Sequence, residues 1–361
     1  MKNIIIFGEY PTPQNIKDGM VQRIKAIDDE FIQYKRTYIN LSFKSNFKKK
    51  YNKIDDKVEV YKLNLFLHIF IITRLLRNTT TIYFHSIYNY LFFVLFNKES
   101  IKTRFLDLHG SVPEELEFQG ANRIKVICYN WIEKKAVSYC NNLVCVSNNM
   151  KEHILCKYPF TKKHNFIIKP IMPSNLNPEF HKANNQHEIN ELRSKLGINE
   201  EDVVLLYAGN LQKWQNFDLM LHIMSKIEKK NYYYIILTGQ KNEAIQQIKN
   251  TCSNIKRIYV DSVSPNELHK YYSIAHYGFL LRDEHILNQV AAPTKLIEYL
   301  YYGLKPILKC TNIGDQTKYN YEYIKYDSKE LLNLKPIKSH YNKNISKSII
   351  EKAKNTSLNI F

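Results

Sequence analysis

Glycine is scarce in this chain of 361 residues, which holds only 10, and no G-x-G-x-x-G turn follows the first apolar run, so a nicotinamide-dependent oxidoreductase is disfavoured. The six cysteines (Cys128, Cys140, Cys145, Cys156, Cys252, Cys310) form no C-x-x-C pair and have no nearby histidine at metal-site spacing. A chain this large does not need disulfide staples, so reduced thiols in the cytosol are expected. Long apolar runs are missing too. The longest, 63–76, contains His68 and ends beside Arg74 and Arg77, well short of the roughly 20 residues that span a bilayer. Before Gly8 stand only Ile4, Ile5, Ile6 and Phe7, too brief a run for a signal-peptide core. A cytoplasmic location is therefore expected. Acids are in deficit: 52 Lys+Arg against 34 Asp+Glu give a formal charge of +18. Such an excess favours polyanionic partners, although abundant Lys, Asn, Ile and Tyr also fit an AT-rich codon bias. A basic nucleic-acid-binding protein is thus a rival reading, but no RNA-recognition, zinc-finger or basic-zipper signature supports nucleic acid as a partner.

What is present is a globular composition, 44% hydrophobic and 24% charged, in a chain long enough for two domains of roughly 150 to 180 residues. Buried strands are predicted at 3–7, 31–40, 81–84, 104–108 and 142–146, separated by helical patterns at 19–27, 88–96 and 120–139. Paired Pro170 and Pro173 and the polar stretch 174–188 mark a linker. The rhythm then restarts, with strands predicted at 203–207, 232–237, 256–260, 277–281 and 305–308 and helices at 218–229, 265–273 and 293–302. Alternation of this kind is the mark of βαβ units. The expected architecture is α/β: a doubly wound domain at 1–170, a second at 171–340, and a helix within 341–361 that packs back on the first. Ligands of such sheets bind at the carboxyl ends of strands, which places function in strand-to-helix loops around a cleft.

The most informative segment runs from Leu280-Leu281-Arg282-Asp283 to Val290-Ala291-Ala292-Pro293-Thr294-Lys295-Leu296-Ile297-Glu298-Tyr299-Leu300 and Gly303. Pro293 suits a first helical position and Gly303 the residue past the end, giving a helix of about ten residues. Its amino end, at Thr294 and Lys295, can hold a phosphate, and Glu298 lies one turn on, where a carboxylate can accept ribose hydroxyls. The same pattern also fits a surface helix with an ordinary Lys-Glu pair. His109 follows an expected strand ending at Asp107, so it points from a sheet's carboxyl end. Gly19, after Asp18 and at the start of a helix, is placed where backbone can approach a phosphate.

At these residues the chain resembles glycosyltransferase family 4, retaining enzymes of the GT-B fold, especially those that assemble capsule and lipopolysaccharide. The resemblance takes in Asp107-Leu108-His109-Gly110-Ser111-Val112-Pro113-Glu114-Glu115, the segment 136–154 with Leu143-Val144-Cys145-Val146-Ser147, the turn Tyr207-Ala208-Gly209-Asn210-Leu211-Gln212-Lys213-Trp214-Gln215-Asn216, and the Pro293 helix. It implies two Rossmann-like domains facing a central cleft, with the second holding a nucleotide-sugar, UDP-sugar by preference. Glu298 matches the second glutamate of the family's Glu-x7-Glu motif, the ribose contact. Val290 stands where the first would be. Where many members place Arg and Lys against the diphosphate, this chain has Asn210 and Gln215, so Lys213 and Arg282 are the expected substitutes. The resemblance implies that His109 lies at the donor sugar, that Asp107 orients its ring, that Gly19, Gly209, Asn210, Pro293, Thr294, Lys295 and Glu298 bind the donor, and that Glu114 or Glu115 caps a helix or meets the acceptor.

The resulting expectation is a retaining transferase that moves a sugar to a lipid-linked or growing bacterial surface glycan, such as capsule, lipopolysaccharide or exopolysaccharide. No Asp-x-Asp occurs, which removes the carboxylate clamp of the other major glycosyltransferase fold, so no metal and no cofactor are expected. A donor-binding but inactive partner subunit is the alternative, prompted by Val290. Residues 43–57, where Phe43, Phe47 and Tyr51 interleave with Lys44, Lys48, Lys49, Lys50, Lys53 and Lys57, are expected to touch an anionic membrane surface, making the protein peripheral on the inner face.

Overall fold

The computed structural model describes residues 3–16, 18–77, 79–94, 96, 100–173, 176, 186–354 and 358. They form two Rossmann-like units, one of Met1–Ile171 with Gln289–Ala292 and Asn355–Phe361, the other of Met172–Asn288 with Pro293–Lys354. The predicted linker 174–188 falls mostly outside the described residues. Among those described, no helix is long and apolar enough to cross a membrane.

The first unit carries β1 (Asn3–Phe7), β2 (Lys35–Ser42), β3 (Lys50–Lys53), β4 (Val58–Asn64), β5 (Thr81–His85), β6 (Thr103–Leu108), β7 (Asn142–Cys145) and β8 (Asn165–Ile168). They order as β3-β4-β2-β1-β5-β6-β7-β8, parallel except for the antiparallel edge pair β3 and β4. Its helices are α1 (Gly19–Glu30), α2 (Ile69–Arg77), α3 (Ser86–Phe93), α4 (Val112–Phe118), α5 (Arg123–Tyr139) and α6 (Asn148–Lys157). Two of the sequence-based expectations for this unit are corrected. The apolar run 63–76 is the end of β4, a turn and then α2, because Asn64 turns the chain, its side chain accepting from Phe66 N (3.1 Å). The strand predicted from 31 starts at Lys35, since Phe31 closes α1 as its buried C-cap.

The second unit holds α7 (Gln186–Leu196), β9 (Val203–Ala208), α8 (Phe217–Ile227), β10 (Tyr232–Leu237), α9 (Lys241–Thr251), β11 (Ile258–Asp261), α10 (Leu268–Ile274), β12 (Tyr277–Leu280), α11 (Ile286–Gln289), α12 (Thr294–Tyr301), β13 (Lys305–Leu308), β14 (Ile324–Lys325) and α13 (His340–Lys354). The sheet order is β11-β10-β9-β12-β13-β14. Every residue of β9 and β10 is buried, as parallel strands covered on both faces must be. Val204, Leu206 and Ala208 enter one core and Val203, Leu205 and Tyr207 the other. Each fully buried side chain of this kind is worth about 1.5 to 3 kcal/mol. Tyrosine takes the place of aliphatic residues at Tyr232, Tyr233 and Tyr234. Tyr232 Oη donates to Leu331 O (2.9 Å) and accepts from Leu334 N (2.9 Å), while Tyr277 Oη donates to Lys335 O (3.1 Å).

The terminal helix differs from expectation. α13 packs along α12 inside the second unit, burying Ile349 and Ile350 in that unit's core. Asn342 Nδ2 fixes it by donating to Leu304 O (3.0 Å) and Glu322 O (2.9 Å). Beyond it, Leu358 sits in the first unit's core, its amide donating to Glu30 (2.9 Å). In both sheets the strand order reverses beside the earliest strand, β1 between β2 and β5, β9 between β10 and β12, and such switch points open the crevices where doubly wound sheets take ligands.

Candidate functional site

In the first unit the carboxyl ends of β5 and β6 gather a buried polar cluster. Asp107, at 0% exposure, receives two hydrogen bonds from Arg23, Nε to Oδ2 (3.0 Å) and Nη2 to Oδ1 (3.0 Å). His85 Nδ1 lies 3.4 Å and His109 Nδ1 3.7 Å from the same Oδ2. Arg23 and the two histidines hold the Asp107 carboxyl well below the usual carboxylate range against the opposing effect of burial. At 3.7 Å His109 faces Asp107 at more than hydrogen-bond length, so the carboxylate is first an ion-pair partner of Arg23. Neither ring nitrogen of His109 has a hydrogen-bond partner among the described residues. Ser86, beside His85, has φ +71°, a left-handed backbone that a non-glycine residue rarely holds and that recurs at ligand clamps. Gly8, at the end of β1, has His85 Cδ2 only 3.2 Å from where a Cβ would stand, so the small residue admits the ring.

Gly19 is the first residue of α1, with open space around it. Asp18 caps that helix, its carboxylate accepting from Met20 N (2.7 Å) and Val21 N (3.2 Å), so a phosphate approaching Gly19 meets donors already engaged and a like charge. Glu114 is held by Ser111 Oγ (2.6 Å), His153 Nε2 (3.3 Å) and Lys157 Nζ (2.6 Å). Glu115 lies near His109, and burial raises its carboxyl pKa.

In the second unit α12 is shorter than its sequence suggests. Pro293 is the N-cap, without a side-chain hydrogen bond to the first turn, and Tyr302 is the C-cap. Gly303, at φ +73°, takes the left-handed position past the end, with Leu304 N reaching back to Tyr299 O (2.9 Å). Glu298 is 3% exposed. Lys295 Nζ lies 2.9 Å from its Oε2, Tyr272 Oη donates to the same oxygen (3.1 Å), and Lys295 Nζ also donates to Tyr272 Oη (3.1 Å). The Lys-Glu pair is therefore part of a three-membered cluster around a buried Glu298, with Lys295 half-buried, rather than a solvated surface pair.

Arg282 follows β12. Its neighbour Asp283 is engaged by Lys309, while Arg282 Nε is buried with no hydrogen-bond partner among the described residues, and burial lowers the guanidinium pKa to about 10. Arg282 and Lys295 both act electrostatically on Tyr207, near the end of β9. Tyr207 Oη donates to Asn210 O, and Gly209 N donates to Leu237 O (3.0 Å). Lys213 is exposed in the short turn Lys213–Gln215. That turn ends at Asn216, φ +52°, whose Nδ2 donates to Leu281 O (2.7 Å) and ties the turn to the strand end that carries Arg282. Val290 belongs to the first unit, where its carbonyl accepts from Ser147 Oγ (2.6 Å), and its side chain is 1% exposed.

The sequence reading missed Arg23, His85, Tyr207, Tyr272 and Asn216. Arg23 alone left a local signal, a charged residue between the helix-spaced Val21, Ile24 and Ile27. Tyr272 reads as core, and its partner is 26 residues away.

Comparison with known proteins bears on the fold. Residues 188–320 match the family model described as Glycosyl transferases group 1. No curated protein sequence matches the chain. Among solved structures it is similar to the sucrose-phosphate synthase from Thermosynechococcus elongatus, with TM-score 0.64 and 11% identity over 99% of this chain and 95% of that one. It is similar also to the Anabaena HepE structure in complex with UDP and glucose, with TM-score 0.63 and 10% identity over 99% and 92%. A third is the E. coli trehalose-6-phosphate structure bound with UDP-2-fluoro glucose, with TM-score 0.62 and 11% identity over 98% and 96%. The likeness establishes the GT-B fold, with two Rossmann-like domains in one chain.

Proposed function

We propose that this chain is a retaining glycosyltransferase of family 4 type that transfers a sugar from a nucleotide-sugar, a UDP-sugar by preference, to a hydroxyl of a lipid-linked or growing bacterial surface glycan. The observation that carries this reading is the Nε of Arg282, buried and without a hydrogen-bond partner among the described residues, beside Tyr207 and the uncapped helix start that carries Lys295. A buried guanidinium N–H left without an acceptor is costly, and an incoming diphosphate supplies one. Glu298, held by Lys295 and Tyr272, presents a carboxylate of fixed direction to ribose hydroxyls. The group 1 match over 188–320 and the UDP ligands of the HepE and E. coli structures support the donor class.

In the proposed reaction the bond from the anomeric carbon to the diphosphate oxygen breaks, and its electron pair goes to the leaving nucleoside diphosphate. Arg282, Lys213 and the backbone N–H groups of Thr294 and Lys295 stabilise that charge, with Gly209 and Asn210 lining the donor loop. Pro293 shapes the entry to the helix, since it has no N–H of its own. The acceptor oxygen bonds the same face of the sugar, and its proton passes to the leaving phosphate. His109, oriented in the field of Asp107, lies at the donor sugar, and Gly19 borders it. No metal takes part, the enzyme is cytoplasmic, and residues 43–57 hold it on an anionic membrane face.

One observation favours a second reading, an inactive donor-binding subunit: Val290 is buried and offers no carboxylate to the sugar. Calorimetric titration of UDP and GDP into the wild-type chain and Glu298→Ala, followed by NMR of any product anomer, tests both. Binding of one nucleotide, weakened by about 1.5 to 3 kcal/mol in the variant, with a retained anomer, supports the proposal. Binding without transfer supports the subunit, and no binding refutes both.

A further inference from the structure

Helix α5 covers its own unit with Ile132, Ala136 and Val137 and with a buried carboxylate, Glu133. Lys157 Nζ (2.6 Å) and Tyr158 Oη (2.9 Å) satisfy that acid. The opposite face should be polar if it only met water. Instead Ile124 is 71%, Ile127 58% and Trp131 52% exposed, with exposed Cys128 among them. Positions 124, 127, 128 and 131 fall on one helical stripe, and contiguous exposed apolar patches mark interaction surfaces.

The charges around the stripe say what covers it. The exposed charged side chains of α5 are Arg123, Lys125, Lys134 and Lys135, all cationic, and Lys135 Nζ lies 5.7 Å from the Trp131 ring centroid. The neighbouring α4 contributes one exposed carboxylate, Glu117. We propose that α5 lies along an anionic lipid surface, its isoleucines and Trp131 at the boundary of headgroups and acyl chains and its cations among the lipid phosphates. A second copy docking there would set like charges against each other. Both α5 and the basic segment 43–57 pack on α3: Tyr129 of α5 meets Tyr88 (5.4 Å), and Phe43 meets Phe92 (4.7 Å) and Phe66 (5.7 Å). Phe70, at the start of α2, is 85% exposed. The inference rests on α5 and its surroundings, not on the transfer reaction.

Trp131 and Trp214 are the two tryptophans, so in a Trp214→Phe chain the emission comes from Trp131 alone. Vesicles of phosphatidylcholine with and without phosphatidylglycerol, their acyl chains brominated near the headgroup, are the probe. Quenching of Trp131 by the anionic vesicles, weakened by salt and absent with pure phosphatidylcholine, is expected. Ile124→Ser/Ile127→Ser should lower the vesicle-bound fraction by at least about tenfold, with UDP binding and circular dichroism unchanged. Vesicle binding that leaves Trp131 unquenched, or that survives the double substitution, overturns the proposal. So does gel filtration in which the double substitution turns a dimer into a monomer, which would assign the stripe to a second copy. UDP titration of the same chains reads the donor site separately, so failure at the membrane and failure of the proposed reaction remain distinguishable.

Discussion

Replacing Arg282 by methionine should make the free protein more stable and the nucleotide complex weaker. Burial pushes the guanidinium pKa from its ordinary 12.5 to about 10, and at 1.36 kcal/mol per unit that corresponds to an upper bound of about 3 kcal/mol of desolvation cost. Methionine keeps most of the apolar stem packed and removes the charge. After allowing for lost packing, the free chain should gain about 1 to 2 kcal/mol, a rise of roughly 2 to 4 °C per kcal/mol in the unfolding midpoint of a domain this size. The complex should lose a charge-assisted contact worth about 2 to 3 kcal/mol, weakening UDP binding by roughly 30- to 150-fold. Calorimetric unfolding of both chains, with and without UDP, reads both quantities. Arg282→Met that is less stable than wild type while binding UDP equally well would refute the argument, because it would mean that Arg282 has a structural partner and no anion to meet.

Burial holds Lys338 at a pKa of about 7, below the ordinary 10.5. Between about pH 7 and 10.5 the unfolded chain therefore keeps a proton that the folded chain has released, and this group makes stability rise with pH across that window. Below it both states are protonated and the cost is constant, so Lys338→Met should flatten the slope of urea-unfolding stability between those limits. Asp107→Asn strands the buried Arg23 guanidinium and should cost about 3 to 5 kcal/mol in denaturant unfolding, whereas the paired change Arg23→Met/Asp107→Leu should recover most of it. Transfer activity should persist after exhaustive dialysis against EDTA, measured as released UDP.

Much of the fold was readable because parallel strands announce themselves as continuous apolar runs: 203–207 and 232–237 match β9 and β10 almost to the residue. Gly303 marked the end of α12 correctly and Pro293 missed its start by one residue, as N-cap rather than first helical residue, because backbone geometry at helix ends is a local property. Edge strands escaped. β3 is a run of exposed Lys, Tyr and Asn with no buried face to impose alternation, and β4 merged with α2 into one apolar stretch. The polar partnerships were beyond sequence reach for a different reason. Arg23 meets Asp107 across 84 residues, and Glu298 shares its charge with a tyrosine that periodicity assigns to the core. Local pattern gives the direction of a side chain, whereas the identity of what it meets depends on how the whole sheet is assembled.

The tyrosines built into β10 and its surroundings also give the molecule a built-in spectroscopic reporter. Burial raises the hydroxyl pKa of Tyr232, Tyr233, Tyr272 and Tyr299 above the value of a solvated phenol. In an alkaline titration the solvated phenols of this 27-tyrosine chain should turn to phenolate first, and the buried set only as the second unit opens. Ultraviolet absorbance would then record the opening of that sheet without any label.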